Sequence, residues 1–275
     1  MIKVYSDKNK EVVIHLVSDS TAETINRVVE ATMAQFPTID RKEYVWPLVR
    51  TLRQIKITLK EIEKKPGLVV LSILNSTNKR FLEEGCEKIG VPYSSPLDQL
   101  FDLFKKTFSL SQQRLPGGQH KLNQEYFSRI GALDYAMQHD DGQNILSMHK
   151  ADIILVGVSR TSKTPTSIYL ANKGIKVANF PLINKIEVPL ELEQIHGPVI
   201  VGLLIDPRSL ARIRETRLKT MGEKNKTNYS SLGKIKDELS KARKLYLEKN
   251  WPIVDISRKS VEETAASIIQ LLKNR

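Results

Sequence analysis

Beginning at Gly157, the string GVSRTSKTPTSIYLA sets a lysine among six serine and threonine residues directly behind the apolar run 153–156. A phosphate-binding P-loop reads G-x-x-x-x-G-K-[ST], in which backbone amides wrap the phosphates, the lysine meets their charge and the hydroxyl binds magnesium. Gly157, Lys163 and Thr164 fit this pattern, while Ser162 stands where the second glycine is usual. Nucleotide binding is therefore expected from Gly157, Val158, Ser159, Arg160, Thr161, Ser162, Lys163 and Thr164. The string follows a strand-like run and opens a helix, which would aim amides and the positive end of the helix dipole at bound phosphate. Pro165 suits a first helical turn, although it pushes Thr164 away from helical angles. The competing reading is an ordinary strand-to-helix turn rich in hydroxyls.

Three further groups could act on phosphate. Asp206 ends the apolar run 199–205, as would a carboxylate that shares the magnesium ion with Thr164, yet before Pro207 it could equally be a helix N-cap. His139, Asp140, Asp141 and Gly142 stand together, and Asp140 or Asp141 could be the general base for a hydroxyl acceptor. An Asp-Gly turn explains Asp141 and Gly142 as well. Arg160 could reach the transferring phosphate oxygens as a bidentate donor, or be a surface guanidinium. The string SDST at residues 18–21 could bind phosphate or an acceptor loop, or simply cap a helix. His15, His120, His149 and His196 show no metal-ligand spacing.

To position these groups the chain alternates short apolar strands with helices. Residues 12–17, 44–49 and 67–74 read as strands, with a helix over 52–65 and another carrying Ile25, Val28, Val29, Met33 and Phe36 on one face. Near-continuous apolar strands between helices imply parallel sheets covered on both faces. Residues 111–123 turn to Pro, Gly and Gln and form the expected linker. A helix over 124–138 precedes strands in ADIILVG, IKVANF, PVIVGLLID and PIVDIS, and Ser260 and Glu263 mark the start of the last helix as a capping box. The expected fold is α/β: an N-terminal α/β domain over 1–110, the linker, and a C-terminal P-loop domain over 124–275, both with mainly parallel sheets. No repeat of fixed period is present.

The charge is +12, from 43 Lys and Arg against 31 Asp and Glu, and residues 207–250 carry 13 basic and 5 acidic side chains, hence +8 of that excess. This basic segment is either a solvated helical surface or a docking face for phosphate or an acidic partner. With 6% aromatic residues no stacking platform for nucleic acid emerges, so nucleic acid is not an expected partner. No apolar run reaches the ~20 residues that cross a bilayer. The N-terminus does not read as a signal peptide, and a single cysteine, Cys86, offers no internal disulfide and no cysteine-based zinc cage. A cytoplasmic setting follows as the expectation.

The strings VSDSTAET, RIGALDYAMQHDDG, GVSRTSKTPTSIYLANKGIKVANFPL, VGLLIDP and SVEETA, in this order, resemble the pyruvate, phosphate dikinase regulatory protein family. The resemblance spans nearly the whole chain. It implies a bifunctional serine/threonine kinase and phosphorylase, which phosphorylates a threonine of the dikinase using ADP and removes that phosphate with inorganic phosphate as co-substrate, yielding pyrophosphate. The nucleotide loop carries over onto residues 157–164 without gaps. A related branch acts on phosphoenolpyruvate synthase and usually has Cys-Gly before the loop lysine and SDGT near the N-terminus. Here Thr161-Ser162 and SDST favour the dikinase branch. Magnesium is the expected metal, held by Thr164 and Asp206; the roles of Asp140, Asp141 and Asp206 come from their chemistry, not from the family. A homo-oligomer is compatible with the sequence, and a small-molecule P-loop kinase is the rival enzyme.

Overall fold

The computed structural model describes residues 11–118, 124–182, 188–221 and 228–273, and the chain divides into two units, Met1–Lys121 and Leu122–Arg275. Of the expected linker, residues 111–118 fall in the first unit, and 119–123, with His120, lie outside the described residues.

In the first unit β1 (Glu11–Ser18) leads to α1 (Glu23–Met33), β2 (Asp40–Trp46), α2 (Leu52–Lys64), β3 (Leu68–Ser72), α3 (Ser76–Ile89), β4 (Tyr93–Ser94) and α4 (Asp98–Phe108). The four strands form a parallel sheet in the order β2-β1-β3-β4. β2 begins and ends earlier than its apolar residues suggest: Asp40 to Glu43 pair with β1 from Glu11 to Ile14 despite their polarity, and Pro47, which has no N–H to give a ladder, follows the last paired residue. An edge strand can carry polar residues because one of its sides faces water.

The second unit has α5 (Gln124–Gln138), β5 (Ile153–Val158), α6 (Lys163–Ala171), β6 (Val177–Leu182), α7 (Leu190–Glu193), β7 (Val199–Leu204), α8 (Pro207–Thr220), α9 (Leu232–Glu248), β8 (Ile253–Asp255) and α10 (Val261–Lys273). Its sheet is again parallel, in the order β6-β5-β7-β8. Every residue of β5 is buried, as a central strand covered on both faces requires. The capping box at α10 is reciprocal: Ser260 N–H donates to Glu263 Oε2 (2.8 Å) and Glu263 N–H to Ser260 Oγ (3.1 Å). Tyr246 of α9 lies across β5 and β7, its hydroxyl donating to Val156 O (3.1 Å). A Cβ on Gly202 would fall 2.4 Å from that ring, so glycine at this strand position is what admits the tyrosine.

In both sheets the second strand lies on one side of the first and the third on the other. Such a reversal leaves a crevice beyond the carboxyl end of the first strand, the common ligand position of open α/β sheets. The chain places SDST at one crevice and residues 157–164 at the other.

Candidate active site at the carboxyl end of β5

Leaving β5, the chain turns tightly enough that a Cβ on Gly157 would lie 2.5 Å from Thr161 Oγ1, so this position needs glycine. Thr161 is buried and its hydroxyl donates to Val158 O (2.9 Å). Arg160 and Ser162 both take left-handed backbone angles, φ 72° and 54°. Ser162 thus stands in the conformation for which glycine is favoured, and it is the N-cap of α6 without a side-chain capping bond.

Lys163 is only 5% exposed. Its ammonium donates to Gly157 O (3.0 Å) and Val158 O (3.1 Å), drawing the loop around itself. Burial pulls its pKa down to about 8, opposed by the nearby carboxylates of Asp141 and Asp140 and assisted by the charges of Arg160 and Arg214. The motif by itself suggests a lysine exposed at a loop surface; the structure corrects this to a buried one.

Behind the loop, Thr164 Oγ1 donates to Asp140 Oδ1 (2.8 Å), and Asn179 Nδ2 donates to the same oxygen. Asn179, fully buried in β6, also accepts from Asp141 N–H (3.0 Å) and donates its own N–H to His139 O (3.0 Å). One strand residue therefore sets the 3₁₀ turn Asp140–Gly142 beside the start of α6. His139 is not part of the opening. Its Nδ1–H donates to Tyr135 O (2.8 Å), its Nε2 contacts Ser147 Oγ (2.6 Å), and its ring stacks on Tyr135 at 3.8 Å.

The outer wall comes from the basic segment. Arg214 of α8 is 1% exposed and donates to Ser159 O (3.1 Å), Tyr229 O (3.0 Å) and Glu238 Oε2 (2.8 Å). Its guanidinium lies 4.5 Å from the centre of the Tyr229 ring, whose hydroxyl bonds Ser159 Oγ at 3.0 Å. The loop is gripped at the Ser159 carbonyl and hydroxyl from outside and by Lys163 from within. A cavity of about 710 Å³ opens on these residues, with Arg160, Ser162, Lys163, Thr164 and Asp141 on its polar side and Pro181, Leu182 and Ile213 on its apolar side.

Asp206 stands apart from this group. Its Oδ2 accepts from Ser209 N–H (2.8 Å) as the N-cap of α8, which holds its pKa below the usual carboxylate range, and it does not line the cavity. Arg214, Asn179 and Tyr229 escape the motif reading. The available signals were a charged residue one turn after Leu210, on the buried face of α8, and a lone amide within the apolar run of β6. Among the described residues, no three His, Cys, Asp or Glu side chains gather to hold a metal ion, and no helix is long and apolar enough to cross a membrane.

In the first unit, the crevice at SDST holds about 250 Å³, and no lysine or arginine is among the described residues that line it. Asp19 is 3% exposed, accepts from Leu74 N–H (2.7 Å) through its carboxylate and from Arg50 Nε–H (2.9 Å) through its carbonyl. Burial raises its pKa.

Residues 14–269 match the family model described as kinase/pyrophosphorylase. A Bradyrhizobium sp. (strain ORS 278) protein is 44% identical over 263 residues, covering 95% of this chain and 94% of its own. A Paramagnetospirillum magneticum protein is 42% identical over 258 residues (94% and 83%), and one from Erythrobacter litoralis 39% over 266 (97% and 96%). All three carry the name pyruvate, phosphate dikinase regulatory protein. Since the match takes in both sheets and the whole loop over 157–164, the chain belongs to the kinase/pyrophosphorylase family.

Proposed function

We propose that this protein is a cytoplasmic, bifunctional regulator of pyruvate, phosphate dikinase. In one direction a threonine hydroxyl of the dikinase attacks the terminal phosphorus of ADP; the phosphorus–oxygen bond to AMP breaks, and the threonine proton passes to a carboxylate. In the other direction an oxygen of inorganic phosphate attacks the phosphothreonine, giving pyrophosphate and the restored hydroxyl. The relatives named for this regulation support the target, as do Thr161-Ser162 and SDST.

The observation that carries the reading is the placement of Lys163, held by Gly157 O and Val158 O at the start of α6 and facing a cavity large enough for a nucleotide. A phosphate entering there would exchange those carbonyl contacts for charge-assisted ones, and the start of the helix would add its dipole. Arg160, which lines the cavity, is the cation that would meet the transferring phosphoryl group. Asp141, which lines the cavity, would take the proton, and Asp140 sits one residue before it. Both directions handle a phosphoryl group between two oxygens, so a single loop can serve both.

The test is threonine phosphorylation of purified dikinase with ADP and with ATP, followed by pyrophosphate release from the phosphorylated dikinase on adding phosphate. Phosphoenolpyruvate synthase is the control target. Transfer from ADP to the dikinase, and pyrophosphate release from it, are the expected results; absence of both on the dikinase would sink the proposal.

A further inference from the structure

We infer that Asp140, through the hydroxyl of Thr164, is the carboxylate of a divalent-cation site beside the loop, and that Asp206 is outside it. This rests on the reading of residues 157–164 as a phosphate cradle and names the carboxylate that serves it. Hard divalent cations take oxygen donors and, where a nucleotide is present, need only one or two from the protein. A threonine hydroxyl has one proton. Thr164 donates that proton to Asp140 Oδ1, which leaves its lone pairs for another partner.

The carboxylate is placed with care. Asn179 Nδ2 holds the same Oδ1, and Asn179 in turn fixes Asp141 N–H and His139 O, so the position of Asp140 is set by a buried amide of β6. Among the described residues no donor reaches the other oxygen, Oδ2. Asp206 differs on each point: Ser209 N–H occupies its Oδ2, its own backbone N–H donates to Ser257 Oγ (2.8 Å), and it bonds no residue that lines the cavity.

Charge balance points the same way. Lys163 and Arg160 bring two positive charges to the cavity wall and Asp141 one negative charge, Arg214 is matched by Glu238, and Asp140 stands behind the wall, joined to it through Thr164. A diphosphate entering this region meets a single net positive charge from the lining, less than its own negative charge. A divalent cation held by Thr164 and Asp140 would supply the remaining positive charge, and an electrostatic account of such a site is incomplete without the ion.

The experiment uses the full chain with ADP as ligand and Mn2+ as the probe. Mn2+ binding to the protein–ADP complex is followed by electron paramagnetic resonance, with Mg2+ competition, and ADP affinity is measured by calorimetry with Mg2+ and with EDTA. The expected result is that Asp140→Asn weakens Mn2+ in the ternary complex at least tenfold and changes ADP affinity in EDTA less than threefold, while Asp206→Asn leaves Mn2+ affinity as in the wild type. Thr164→Val should repeat the Asp140→Asn effect and Thr164→Ser restore it, which keeps the test independent of how Asp140→Asn folds. Wild-type Mn2+ affinity in Asp140→Asn, or its loss in Asp206→Asn, overturns the assignment while leaving the nucleotide reading intact. Failure of wild-type protein to bind ADP in either buffer overturns both.

Discussion

The two sheets have the same strand order and place a strand-to-helix loop at the same carboxyl-end crevice, yet they bury opposite charges there. The first unit buries Asp19 and the second Lys163, at 3% and 5% exposure. In each case burial favours the neutral form, raising the pKa of one and lowering that of the other. The difference lies in the partners. Asp19 accepts from a backbone N–H of the neighbouring loop and so stitches β1 to the end of β3. Lys163 donates to two carbonyls of its own loop, contacts that an anion can replace. Topology thus makes two crevices, and under the proposed function the sign of the buried charge is what separates a structural one from one that takes phosphate.

The largest expected effect tests that distinction directly. Lys163→Met should reduce both ADP-dependent transfer and pyrophosphate release by ~10³-fold or more, since the charge facing the phosphates is lost. The fold should not suffer. A pKa shift from 10.5 to about 8 corresponds to ~3 kcal/mol spent on keeping the ammonium buried, so the variant should melt at or above the wild-type temperature although two carbonyls lose a donor. The pH dependence has a definite sign. Between about 8 and 10.5 the folded protein binds fewer protons than the unfolded chain, so wild-type stability rises with pH across that window. The methionine variant should lack this rise, and wild-type ADP affinity should fall as pH passes about 8. Calorimetric melting from pH 7 to 10 and nucleotide titration check both; a strongly destabilised variant would show that Lys163 is structural, like Asp19.

Arg214→Lys should come next. A lysine keeps the charge but cannot span Ser159 O, Tyr229 O and Glu238 together. Transfer should fall roughly ten- to a hundredfold, ~1.4–2.7 kcal/mol in the barrier, and urea denaturation should show a loss of about 2 kcal/mol from the partners left unpaired. Unchanged kinetics with the same stability loss would mean that the loop holds its shape without the outer grip. Smaller still is Ser162→Gly. Relief of a left-handed serine favours the variant by up to ~1 kcal/mol, and the extra freedom of unfolded glycine offsets part of it. ADP affinity should stay within about tenfold, or ~1.4 kcal/mol; a larger loss would show that the Ser162 hydroxyl is used.

Much of this arrangement was legible in the residues. Strand β5, the loop behind it, α5 and the capping box at α10 follow from local periodicity and capping chemistry, which depend on near neighbours. The polar start of β2 was hidden because its partner is β1, many residues earlier, and an edge position tolerates what a central strand would not. Arg214 and Asn179 were hidden for a related reason. Their roles arise from contacts across 55 and 38 residues of sequence, to Ser159 and Asp141, where no local spacing can announce them. His139 shows the converse: adjacent to two carboxylates in sequence, it turns its ring to Tyr135 because the helix end and the following turn send neighbouring side chains to opposite sides.

The smallest expected effect on chemistry belongs to Asp19→Asn, and it closes the comparison from the other side. If the first crevice is structural, the variant should keep ADP affinity, phosphate affinity and pyrophosphate release within about twofold, because no lysine or arginine among the described residues lines that cavity to draw phosphate. Stability should respond instead. Burial holds the folded pKa of Asp19 above the ordinary value of 3.8, so above that value the folded state binds more protons than the unfolded one and stability falls as pH rises through the folded pKa. Asparagine retains an oxygen for Leu74 N–H and carries no charge to desolvate, so Asp19→Asn should remove that fall and melt higher than the wild type at pH 7. Melting curves from pH 4 to 8, run beside phosphorolysis of phosphorylated dikinase, decide the matter. A several-fold loss of pyrophosphate release with kinase activity intact would place a second phosphate centre at residues 18–21 and dissolve the contrast between the two crevices.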